Sequence, residues 1–125
     1  MNAKELVLDF LRKQGFTPNV DERNNIVFKY QMTTYVFFTD ENDDEFFQLA
    51  MPGIYDVTED NREIVLEAAN KVNQSIKVIK VIVTQDSVWV LFEILLDETP
   101  QVEDIMPRAF RIMEDGRRKF YEQIE

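Results

Sequence analysis

The chain contains neither cysteine nor histidine. Without thiols there can be no disulfide framework and no thiolate metal site. The added loss of imidazole excludes the Ser-His-Asp triad, the Cys-His pair, histidine acid–base chemistry and zinc sites built on His or Cys. Glycine is scarce: Gly15, Gly53 and Gly116 stand far apart, so no glycine-rich phosphate loop can be assembled. Long apolar runs are missing too. Val88 to Phe92 and Ile94 to Leu96 are separated by Glu93 and fall well short of the roughly 20 residues that cross a bilayer. Positive charge is the minority sign, with 14 Lys and Arg against 24 Asp and Glu and a formal net charge of -10. A surface of that sign repels phosphate backbones, which bind proteins largely by exchanging counterions for Lys and Arg. Nucleic acids and membranes are therefore not expected partners.

What is present is the composition of an ordinary globular chain. At 125 residues, 45% hydrophobic and 30% charged, it is expected to form one α+β domain over residues 1–125 and to bury roughly two-thirds of its unfolded surface. Met1 to Glu5 leads straight into an amphipathic segment carrying Asp9 and Arg12, without the apolar stretch of an export signal. A cytoplasmic location is the expectation.

Leu6, Val7, Phe10 and Leu11 recur at helical spacing and are followed by Gly15, which predicts a first helix over Ala3 to Gln14. Four aromatic and β-branched stretches follow: Phe16 to Asp21, Ile26 to Tyr30, Thr34 to Thr39 and Glu45 to Met51. Short polar segments separate them, which suggests an antiparallel meander ended by Pro52-Gly53. Asp60 with Glu63 resembles a capping box opening a second helix that closes near Ser75. Strands at Lys77 to Thr84 and Ser87 to Leu96 are joined by Gln85-Asp86 as a hairpin. Thr99-Pro100 then supplies a cap and first-turn proline for a last helix through Ile124. Gly116 weakens that helix by about 1 kcal/mol relative to alanine, so a bend or fraying is expected there.

The order helix, strand meander, helix, two strands, helix describes a two-layer α/β sandwich with three helices on an antiparallel sheet. That order resembles the type III secretion chaperone-like fold. Within it, Gln14-Gly15-Phe16 and Ala68-Ala69-Asn70-Lys71-Val72-Asn73, running into Ile76-Lys77-Val78, resemble the YbjN-type family, a group assigned by inference to bacterial sensory-transduction regulation. The resemblance covers the element order of essentially the whole chain, and its motif-like part is Asn70 and Asn73. It implies a small, non-catalytic and often dimeric protein, in a fold whose better-understood members bind extended segments of client proteins.

The run Asp40 to Glu45 places Asp40, Asn42 and Asp44 like the first ligands of a calcium loop. Glu45 stands where the loop needs glycine and Met51 where it needs a bidentate glutamate, so a solvated turn is the better reading. Carboxylate pairs are unavoidable among 24 acidic residues and decide nothing. No catalytic residue, metal site or cofactor is assigned. Asn70 and Asn73 share a helical face and are expected to bond backbone groups in the turn that follows, with ligand binding as the other reading. Arg117-Arg118-Lys119 could meet an acidic partner, but more simply it complements the helix dipole and offsets Glu114 and Asp115.

The strand from Ser87 to Leu96 is apolar on both faces: Val88, Val90, Phe92, Ile94 and Leu96 on one, Trp89, Leu91 and Leu95 on the other, interrupted there by Glu93. Tyr35 and Phe37 oppose Val36 and Phe38 in the same way. Three helices should cover only one face of such a sheet, and an uncovered apolar face generally marks an association surface. Tyr35, Phe37, Trp89 and Leu91 are accordingly expected at a dimer or client surface. The other reading is that the last helix crosses over, or the sheet curls, and these side chains are core. The functional expectation is a non-catalytic protein-binding adaptor or chaperone-like regulator, acting as a homodimer. The alternative is a small-molecule-responsive regulatory domain with its ligand between sheet and helices, Asn70 and Asn73 being the first suspects.

Overall fold

The computed structural model describes residues 2–125. Helix α1 (Ala3–Lys13) starts where the Asn2 side chain accepts a hydrogen bond from the Glu5 amide at 2.9 Å. It stops at a Schellman motif: Phe16 N–H donates to Leu11 O, Gly15 N–H donates to Arg12 O, and Gly15 takes the left-handed conformation (φ 86°) that spares a Cβ clash. The chain then enters β1 (Asn19–Val20), β2 (Ile26–Tyr30), β3 (Thr33–Phe38) and β4 (Phe46–Asp56), followed by α2 (Arg62–Ser75), β5 (Ile79–Val83), β6 (Ser87–Leu95) and α3 (Val102–Ile124). All strands belong to one antiparallel sheet in the order β1-β2-β3-β4-β6-β5. The expected α+β sandwich and its element order are therefore observed.

Several local expectations need correction. The first strand has two residues rather than six. Pro18 brings no N–H to a ladder, and Phe16 turns inward to pack on Phe28 and Tyr30, with ring centroids 6.0 and 5.6 Å away. Pro52-Gly53 does not end β4. The strand continues to Asp56 through a register irregularity between Met51 and Tyr55, where Gly53 at φ 63° bends the chain without terminating it. The Asp60–Glu63 capping box does not form. Asn61 is the N-cap of α2 and spends its amide on the preceding turn, accepting from Thr58 N at 2.8 Å and donating to Asp56 O at 3.0 Å. Thr99-Pro100 lies ahead of α3, whose N-cap is Gln101.

Helix α3 runs unbroken through Gly116, against the expected bend. Its glycine is buried, and a Cβ there would collide with Ile79 Cδ1 and lie 3.8 Å from Val90 Cγ1. The missing side chain lets the helix sit close to the sheet, and that packing outweighs the weak helical propensity.

One core cluster joins all three helices to a single face of the sheet. It includes Val7 and Leu11 of α1, Val65 and Val72 of α2, Met106, Phe110 and Phe120 of α3, and Ile26, Tyr35, Phe37, Phe47, Leu49 and Val90 of the strands. No helix among the described residues is long and apolar enough to cross a membrane.

Candidate functional site

The opposite face of the sheet carries no helix in that cluster. Strand alternation together with register defines it: Val27 and Lys29 on β2, Thr34, Val36 and Phe38 on β3, Gln48 and Ala50 on β4, Trp89, Leu91 and Glu93 on β6, Lys80 and Ile82 on β5. Ala50 lies at the centre, with Val36 and Leu91 as its Cα partners on either side.

Phe38 and Trp89 come from β3 and β6, the two strands that flank β4. Their strands are two spacings apart, roughly 9.5 Å, and the register sets Phe38 level with Glu93, so Phe38 and Trp89 stand on a diagonal across Ala50. Yet the ring centroids are 6.2 Å apart with an interplanar angle of 21°. Both rings therefore lean over β4, and the methyl side chain of Ala50 leaves room for them. This roof accounts for Ala50 and Leu91 being buried, at 0% and 5% exposure, although neither belongs to the helix-side core. The indole N–H of Trp89 donates to Ser87 Oγ at 2.9 Å, which fixes the tilt of the ring. Beside the aromatic pair lies a shallow depression bordered by Val36, Asp21, Glu22 and Arg23.

Glu93, the polar interruption in β6, sits in a small charged group on the same face. It pairs with Lys80 Nζ at 2.7 Å and accepts from Gln48 Nε2. The open face is thus an aromatic and aliphatic centre with an ionic margin.

Of the four residues expected together at an association surface, Trp89 and Leu91 lie on this face, with Trp89 half-buried and Leu91 under its neighbours. Tyr35 and Phe37 do not lie there. They point to the helices and are 0% and 1% exposed, so their place on an association surface is corrected. The cause is the β2–β3 hairpin register, which sets Phe28 against Tyr35 and Ile26 against Phe37 and turns all four inward. The ring of Tyr35 meets Phe28 and Phe110 at 5.6 and 5.0 Å, and its hydroxyl donates to Glu114 Oε1 at 3.3 Å. Burial, and after it the Glu114 carboxylate, pushes the phenol well above its ordinary pKa. The β3 residues that do face outward, Val36 and Phe38, were the ones placed opposite in the sequence reading.

Asn73 has a structural task. Its side chain donates to Val81 O at 3.0 Å and accepts from Val81 N at 2.7 Å, thereby occupying the outward backbone groups in the middle of edge strand β5. The partner group is a strand, not the following turn. Asn70 is exposed on α2. Arg117 grips Glu114 through two bonds of 2.8 and 2.7 Å and reaches Thr33 Oγ1 at 3.1 Å, which ties α3 to β3. Arg118 pairs with Asp115 at 2.8 Å. In the acidic turn, Asp40 and Asp43 each accept an amide two residues on, at 3.0 and 3.1 Å, so these carboxylates shape the loop.

The arrangement defines a YbjN-like α+β fold. Two solved structures share it at low identity: YbjN from E. coli, with a TM-score of 0.74, 8% identity and coverage of 96% of this chain and 89% of that one, and an uncharacterised protein from Methanothermobacter thermautotrophicus, with a TM-score of 0.69, 14% identity and coverage of 97% and 95%. No family model and no curated protein matches the sequence.

Proposed function

We propose that this chain is a non-catalytic regulatory adaptor that receives another protein on its open sheet face. The observation that carries this reading is the Phe38–Trp89 pair, a tilted aromatic platform on a sheet face that no helix covers. Tryptophan and its aromatic neighbours are the side chains that most often anchor protein interfaces, because they bury a large rigid area at little entropic cost. The ionic margin of Lys80, Glu93 and Gln48 supplies polar groups at the rim, where they orient a partner. Docking is by the face and not by β5 strand addition, since Asn73 already occupies Val81 N and O. A regulatory role agrees with the suggestion of transcription regulation made for YbjN, which shares the fold.

The test is capture of partners from host lysate by wild type and by Trp89→Asp, with hydrogen exchange on any complex. A partner that is lost in the variant and protects Val36, Phe38 and Leu91 supports the reading. A variant that loses only self-association assigns the face to a homodimer. Partners captured equally by both proteins would reject the open face as the docking surface.

A further inference from the structure

On the helix side of the sheet, a groove with about 450 Å³ of free volume opens between α3 and the end of β6. It exists because the elements around it stop at different heights. β6 runs on to Leu95, whereas β5 begins at Ile79 opposite Phe92 and α2 has already ended at Ser75. Ile94 consequently has no β5 partner beside it, and α3 crosses above with Ile105, Arg108 and Ile112 on one helical stripe. The floor is apolar, formed by Phe92, Ile94, Ile105 and Ile112.

Two features distinguish this groove from an ordinary surface furrow. The first is charge. Arg117 and Arg118 of α3 each hold a carboxylate one turn back, but Arg108 and Arg111 at the groove rim form no ion pair among the described residues. The two guanidiniums stand three residues apart on α3, both exposed, and so can converge on one anion. The one carboxylate in the lining, Asp115, is held by Arg118. The second is backbone conformation. Val78, at the mouth, has φ 75° and an exposed side chain, a state that β-branched residues rarely adopt and that tends to occur where a ligand is clamped.

We propose that this groove binds an amphipathic carboxylate, an acyl anion of medium to long chain. Its hydrocarbon lies on Phe92, Ile94, Ile105 and Ile112, and its carboxylate sits between Arg108 and Arg111. The volume is that of a small-molecule site, and an apolar lining with few convergent polar groups is the usual build of such sites. Guanidinium forks match a carboxylate in geometry as well as charge. The site is independent of the open face, because Phe92 and Ile94 point to the opposite side of the sheet from Trp89 and Leu91.

The experiment titrates the full chain with dodecanoate, below its micelle concentration, against dodecanol, following heat and thermal midpoint. Wild type is compared with Arg108→Gln/Arg111→Gln and with Trp89→Asp. Dodecanoate is expected to saturate one site, to bind at least about tenfold more tightly than dodecanol and to lose that advantage in the double arginine variant. Trp89→Asp should bind as wild type. Equal binding of acid and alcohol, or an unaffected double variant, would overturn the proposal. So would loss of binding in Trp89→Asp, which would move the ligand to the open face. A short apolar peptide with a free C-terminus that binds through the two arginines, where dodecanoate does not, would replace the acyl anion by a protein terminus.

Discussion

The two faces of the sheet are built from similar side chains on the same strands. Toward the helices β3 and β4 present Tyr35, Phe37, Phe47 and Leu49; away from them they present Val36, Phe38 and Ala50, with Trp89 and Leu91 contributed by β6. On the first face Tyr35 meets Phe110 of α3, Phe37 and Phe47 meet each other, and all three strand rings vanish from solvent. On the second, two rings lean on one another over an alanine and remain half-exposed. The difference shows that hydrophobic character alone does not assign a residue to the core. Cover from a second layer does, and a face lacking it is left with aromatic surface to offer a partner.

Truncations should separate the faces most strongly. Phe47→Ala, fully buried under the helices, is expected to lose about 3–5 kcal/mol in denaturant unfolding. Phe38→Ala on the open face should lose about 1 kcal/mol, since only part of its area is buried. Equal losses would mean that the open face is packed as tightly as the core.

The helix-side face can also be broken by addition. Gly116→Val pushes α3 off Ile79 and Val90 and should destabilise by about 2 kcal/mol, even though helical propensity favours the change from glycine. The matching addition on the open face is Ala50→Leu, which fills the space beneath the leaning rings. Its expected loss is smaller, about 1 kcal/mol, because the stack can lift toward solvent. Trp89 is the sole tryptophan, so a red-shifted emission in this variant would report the lifting directly.

A pH-dependent effect concerns Tyr35. Its phenol has a raised pKa in the fold, so the fold favours the protonated form. That contribution is complete below the ordinary tyrosine pKa of about 10 and drains away as pH rises beyond it. Tyr35→Phe should cost about 1 kcal/mol at neutral pH through the lost bond to Glu114, and its stability should fall less steeply than that of wild type above pH about 10. Parallel pH profiles would show that Tyr35 ionises in the fold as it does in water, contrary to its place on the covered face.

Much of the fold was legible because its signals are local. The α1 stripe with Gly15 behind it, the alternation in β3 and β6 and the tight β5–β6 connection all report on neighbours a few residues apart. The face assignment of β3 was within reach but was missed. Once Tyr30 pairs with Thr33, Lys29 stands opposite Thr34, and a lysine in that row marks the solvent side for Val36 and Phe38 as well. The rest gave no local signal. Glycine at 116 reads as a weak helix until Ile79 is seen against it, and Asn73 reads as a helix-end residue until Val81 lies within reach. Arg108 and Arg111 resemble any other surface arginines until the ragged ends of β5, β6 and α2 open a groove beneath them.

The sequence by itself determined the element order, the exclusions that follow from missing cysteine and histidine, and the presence of two apolar sets on the central strands. Those properties depend on residue type and on periods of two and 3.6 along the chain. Which apolar set became core, which became surface and where a groove remained were decided only by the tertiary structure. All three depend on where distant helices come to rest on the sheet, and that is set by packing between elements far apart in sequence.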